Sequence, residues 1–74
     1  MTAKDIGAIV RAARRVLGLR QDQLAGAAGV GVRFIVDLEA GKPTVQLAKA
    51  LAVLAALGCR IRVEPPTGSE RSDG

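Results

Sequence analysis

The stretch QDQLAGAAGVGVRFIVDLEAG, residues 21–41, contains two short apolar-periodic runs parted by Gly29-Val30-Gly31. Glycine adopts backbone conformations closed to other residues, so two of them in three positions make a tight corner. A chain of 74 residues gives up helix for such a corner only where the second run must stand at a fixed angle to the first.

The runs around the corner extend into a helical pattern. A first helix is capped by Thr2 or Asp5. Its apolar stripe is Ile6, Ile9, Val10, Ala13 and Leu17, with Lys4, Arg11, Arg14 and Arg15 off the stripe and Gly18 at its end. The second helix covers about 21–28, with Leu24, Ala25 and Ala28 inward. Val30 then plugs the corner. The third covers about 32–40: Ile35 and Leu38 point inward, while Val32, Arg33, Val36 and Asp37 face away, and Gly41 ends it. Lys42-Pro43-Thr44 resets the direction, with Thr44 as N-cap of a fourth helix over 45–57.

The fourth helix carries two apolar ridges, Leu47-Leu51-Leu54 and Ala50-Val53-Leu57. One buried face suffices for a monomer, so the surplus predicts a second apolar contact. After Gly58, Cys59-Arg60-Ile61-Arg62-Val63 alternates strictly, which is a strand pattern with no second strand in the chain to pair with. The strand must therefore pair with a copy of itself or with another protein. The predicted organisation is one domain over 1–64, with a helix–turn–helix at 20–40, a dimer helix at 44–57 and a strand at 59–63, then a disordered polar tail at 65–74. Leu54, Leu57, Cys59, Ile61 and Val63 are the predicted dimer contacts.

Composition narrows the chemistry. There is no His, one Cys and no paired-carboxylate cleft to propose, which leaves no catalytic or metal-binding constellation; no enzyme activity, cofactor or metal is expected. The lone cysteine fits a reducing cytoplasm. The amphipathic start predicts no signal peptide, and the run 45–58 is too short for a bilayer span, so no membrane association is expected. Residues 1–63 hold ten Lys and Arg against four acids, a surplus of +6, whereas 64–74 carry −2. A basic body suits a polyanion partner as well as plain solubility.

A helix, a three-residue glycine turn and a second helix form a helix–turn–helix, in which the turn sets the angle at which the second helix enters the DNA major groove. Leu19-Arg20-Gln21-Asp22-Gln23-Leu24-Ala25, Gly29-Val30, Phe34-Ile35 and Leu38-Glu39-Ala40-Gly41-Lys42-Pro43 resemble the lambda-repressor-like, Xre-type helix–turn–helix family over residues 4–57. Arg33 through Leu47, followed by Leu57-Gly58-Cys59-Arg60-Ile61, resembles the HipB-type antitoxins, DNA-binding partners of HipA-type kinase toxins. The resemblance implies an all-α, four-to-five-helix domain whose short C-terminal β-strand pairs across a homodimer. It departs where the family usually has Thr, here Arg20, and Ser or Thr, here Gly31, so both helix starts lose a side-chain cap.

Carried over residue by residue, the resemblance implies DNA contacts by Gln21, Val32, Arg33, Val36, Asp37 and Lys42, while Arg20, where the chain departs from the family, is expected to place its charge on a phosphate. Gln21 and Lys42 face phosphate. Arg33 reads guanine or meets phosphate, and Val32 and Val36 touch thymine methyls. Asp37 accepts from cytosine or balances Arg33. Glu39 pairs with Arg14 or Arg15, Phe34 packs in the core or turn, and Cys59 acts as a small buried hydrophobe. The implied function is a cytoplasmic, nucleoid-associated repressor that binds an inverted-repeat operator in double-stranded DNA as a homodimer and neutralises a HipA-like kinase. The alternatives are a stand-alone Xre-type regulator and a protein-interaction adaptor without DNA binding.

Overall fold

Thr2 and Asp5 together start the first helix. The Thr2 hydroxyl accepts from the Asp5 amide at 3.2 Å and the Asp5 carboxylate accepts from the Thr2 amide at 2.8 Å, which satisfies two amide donors at the helix start. The computed structural model describes residues 1–67 and contains α1 (Ala3–Val16), α2 (Gln21–Ala28), α3 (Val32–Glu39) and α4 (Leu47–Ala56).

The core is Val10 of α1, Leu24 and Ala25 of α2, Ile35 and Leu38 of α3, and Ala50, Val53, Leu54 and Leu57 at and beyond α4. Ile6, Val10 and Ala13 of the apolar stripe lie in or against the core, but the buried face of α1 also takes in residues outside the stripe and leaves two of its members out. Gly7 and Val10 are buried and Arg14 is nearly so, whereas Ile9 and Leu17 are exposed. The cause is Gly7. A Cβ there would run into the carbonyl oxygen of Leu38 and come within 2.8 Å of that of Glu39, so the backbones of α1 and α3 meet at a point where only glycine fits. That contact turns Ile9 toward the flank.

The corner between α2 and α3 forms as the glycines require. Gly29 takes a left-handed φ of 72° and ends α2, while the Val30 amide donates to Ala25 O at 3.0 Å and its side chain packs on the core. Gly31 is extended and gives α3 no side-chain cap. At the start of α2, the Gln23 side chain accepts from the Arg20 amide at 2.8 Å, so that helix recovers half of a capping box although Arg20 itself cannot accept.

Two expectations are corrected, and a third, the strand, is not formed within the single chain. Helix α4 begins at Leu47 with Gln46 as N-cap, two residues beyond the expected cap Thr44; Pro43 and Thr44 lie in a turn, and Val45 packs against the core before the helix starts. Leu54 and Leu57, expected at a dimer contact, are each only 8% exposed, because they fill the chain's own core. Residues 59–64 form no regular element, and no strand occurs among the described residues; a single strand has no hydrogen-bonding partner within one chain. Cys59 packs partly on the core, while Ile61 and Val63 are exposed. From residue 68 onward the expected polar tail lies outside the described residues. No helix among the described residues is long and apolar enough to cross a membrane.

Candidate nucleic-acid interface

Helix α3 is two-faced. Ile35 and Leu38 point into the core, which leaves Val32 and Arg33 outward, the Arg33 side chain 85% exposed. Val36 and Asp37 are half-buried on the edge of that face. The outward arrangement follows from the corner: Gly29 and the Val30 plug tie α3 to α2, so among the described residues Val32 and Arg33 stay exposed on the face opposite Ile35.

Asp37 stands between two cations. Its carboxylate lies 3.4 Å from Arg33 Nε, one turn back on the same helix, and 3.7 Å from Lys42 Nζ, just past the helix end. Of the two roles open to Asp37, balancing Arg33 is the one its contacts display. The arrangement holds both cations at one edge of α3 and partly neutralises them.

Glu39, the last residue of α3, is the most fully held ionisable group among the described residues. Its side chain is 1% exposed. Arg14 donates to it through Nε at 2.6 Å and Nη2 at 3.1 Å, Gln21 Nε2 donates at 3.2 Å, and Arg11 Nε stands at 3.6 Å. Burial alone would push the Glu39 carboxyl up. The hydrogen bonds from Arg14 and Gln21 and the charges of Arg14 and Arg11 together outweigh burial and hold it below the ordinary carboxylate range. Arg14 also donates to the Leu19 carbonyl at 2.9 Å. One cluster thus locks the end of α1, the start of α2 and the end of α3, and it places Gln21 at the N-terminus of α2, where helix amides favour an anion.

Arg20 lies beside this cluster, exposed and 3.1 Å from Asp22. Arg20, Gln21, Val32, Arg33, Val36, Asp37 and Lys42 all sit on α2, α3 or directly beside them. Phe34 packs on the core, with Lys49 Nζ 6.0 Å from its ring centre. Among the described residues no group of three His, Cys, Asp or Glu side chains is placed to hold a metal ion.

A helix-turn-helix family model matches residues 10–63, from the middle of α1 to beyond α4. The chain belongs to the Xre/lambda-repressor-like helix–turn–helix family. Among its relatives in that family is an uncharacterised HTH-type transcriptional regulator, y4mF, of Sinorhizobium fredii (strain NBRC 101917 / NGR234). It is 63% identical over 65 residues, which cover 88% of this chain and 86% of the relative.

Within this helix–turn–helix domain, sequence reasoning found Glu39 and its pairing with Arg14 but not the engagement of Gln21. It missed Gly7 and Gly41 as contact points. A Cβ on Gly41, which has φ +82°, would lie 2.7 Å from Lys4 Cγ and 2.9 Å from Lys4 Cα. Neither contact has a signature in one sequence, since glycine within or after a helix reads first as a breaker or terminator.

Proposed function

We propose that this chain is a repressor that binds an inverted-repeat operator in double-stranded DNA as a homodimer, and that it serves as the antitoxin of a HipBA-type system whose toxin is a HipA-like kinase. The coarser role, a DNA-binding transcriptional regulator, is the one that family membership and the regulator relative support. The observation that carries the reading is the outward face of α3. Arg33 is presented at an angle fixed by the glycine corner, and Gln21 is held at the N-terminus of α2 by Glu39, the last residue of α3. Arginine is the side chain suited to the O6 and N7 acceptors of guanine.

The dimer is supported by the apolar surface that the core leaves over. Leu47 is 72% exposed and Leu51 is also outward on α4, and Ile61 and Val63 are exposed on the segment without a strand partner. Pairing of residues 59–63 across two copies gives that segment its missing hydrogen bonds. The antitoxin role rests on the resemblance of residues 33–47 and 57–61 to HipB-type antitoxins. In this reading the protein acts by binding and has no catalysis of its own.

Selection of bound sequences from a random duplex pool tests the DNA half: the reading requires enrichment of an inverted repeat, and no enrichment refutes it. Co-expression with a HipA-like kinase tests the other half: the reading requires a stable complex in gel filtration, and no complex refutes it.

A further inference from the structure

Helix α1 carries cations at residues 4, 11 and 15, with alanine at 8 and 12, all along one side. This side is a shallow trough of about 340 Å³ lined by Lys4, Ala8, Arg11, Ala12 and Arg15 and closed by the end of α3 at Glu39 and Ala40. The row spans about 16 Å from Lys4 to Arg15 at a helical rise of about 1.5 Å per residue. Glu39 is the one acid in the trough, and Arg14 already engages it. Lys4 and Arg15 have no ion pair among the described residues. The trough therefore holds a surplus of positive charge that nothing in the described chain balances.

Its position decides what balances it. Arg11 and Gln21 both reach the same oxygen of Glu39, at 3.6 Å and 3.2 Å, so the row begins beside the side chain that stands at the N-terminus of α2. At the other end Lys4 packs on Gly41, the neighbour of Lys42. The basic row of α1 is thus continuous with both proposed phosphate-facing ends of the recognition unit. Large cations separated by alanines leave room for a bulky, rounded anion between them.

We propose that the α1 trough seats the sugar–phosphate backbone of the same duplex, adding phosphates to those met by Gln21 and Lys42. This rests on the DNA-binding reading above. The row touches no base edge in this account, so it contributes affinity without sequence preference.

The test is the salt dependence of binding. Each neutralised phosphate adds about 0.9 to the steepness with which log affinity falls against log salt. The double variant Lys4→Gln/Arg15→Gln should reduce that slope by about 1.8, equally on operator and random duplex, and leave their affinity ratio unchanged. Ala12→Glu, which places a carboxylate in the trough at an exposed helix position, should weaken both duplexes by a similar factor. It serves as the check if the double variant folds poorly, as read by circular dichroism. An unchanged slope together with an unaffected Ala12→Glu variant overturns the proposal and assigns the row to a different partner. A changed operator-to-random ratio also overturns it, since the row would then be reading sequence. Wild-type protein that binds no duplex in a salt-dependent way would instead defeat the DNA-binding reading itself, so the two failures are distinguishable.

Discussion

Arg14 grips Glu39 with two guanidinium nitrogens, Nε at 2.6 Å and Nη2 at 3.1 Å, across a separation of 25 residues. The pair is the polar counterpart of the apolar core: it fastens α1 to α3, and through Gln21 it fastens α2 as well. Removing one member of a buried pair leaves the other charge uncompensated, typically at a cost of about 3–5 kcal/mol. Arg14 retains some solvent access, which places Glu39→Ala near the lower end, about 3 kcal/mol, by urea denaturation at neutral pH. A loss below about 0.5 kcal/mol would show that the pair is mere surface decoration.

The same carboxylate sets an acid limit. Its folded pKa is held below its unfolded value. The stabilisation is therefore fully present above the unfolded value of about 4.3 and drains away as pH falls through the folded value. Glu39→Gln should show a smaller loss of stability between pH 5 and pH 3 than the parent chain, compared by thermal melts at matched ionic strength. Equal losses would place the acid sensitivity elsewhere.

Two glycines should respond oppositely to the same substitution. Gly7→Ala puts a methyl group onto the backbone carbonyls of Leu38 and Glu39, and forcing α1 and α3 apart should cost about 1–3 kcal/mol. Gly26→Ala, inside α2 with nothing near the added methyl, should gain about 0.5–1 kcal/mol from helix propensity. Melting temperatures of the two variants decide the matter, and a stabilised Gly7→Ala protein would disprove the close approach.

Asp37 is expected to temper binding. Asp37→Asn removes the carboxylate beside both Arg33 and Lys42 and should raise affinity for random duplex more than for operator, narrowing the ratio between them. Fluorescence anisotropy on both duplexes measures it. A fall in operator affinity with random-duplex affinity unchanged would instead make Asp37 a direct base contact.

For the dimer, Ile61→Asp should shift sedimentation toward monomer at low micromolar concentration. The proposed operator should have half-site centres roughly 34–36 Å apart, so that inserting about five base pairs turns them to opposite faces and lowers affinity toward that of one half-site. A fully dimeric Ile61→Asp protein would remove the strand from the interface. Indifference to the insertion would remove the symmetric dimer from the DNA-binding unit.

What the sequence made legible follows from which residues have one local meaning. Gly29 and Gly31 bracket Val30, and the end of α2 and the start of α3 follow from them. Glu39 was recognisable only through the family resemblance, which implies a structural acid at this position paired with Arg14 or Arg15. Of the inward face of α1, Ile6, Val10 and Ala13 were legible from apolar spacing, but Gly7 and Arg14 were not, being a breaker and a charge that apolar counting discards. Thr44 is a good cap by type, yet it lies in a turn, and α4 starts at Leu47 after Val45 has packed against the core. The partition of α4 into core and surplus likewise depends on neighbours: Leu54 and Leu51 are alike in sequence terms, but one is buried in the core and the other is exposed.

The central claim is that α3 reads DNA through Arg33. Its most direct test compares parent and Arg33→Ala proteins on the selected operator and on random duplex at one salt concentration. The account predicts a loss of about 1–3 kcal/mol on the operator and a clearly smaller loss on random duplex. Equal affinity of the two proteins for the operator would contradict it.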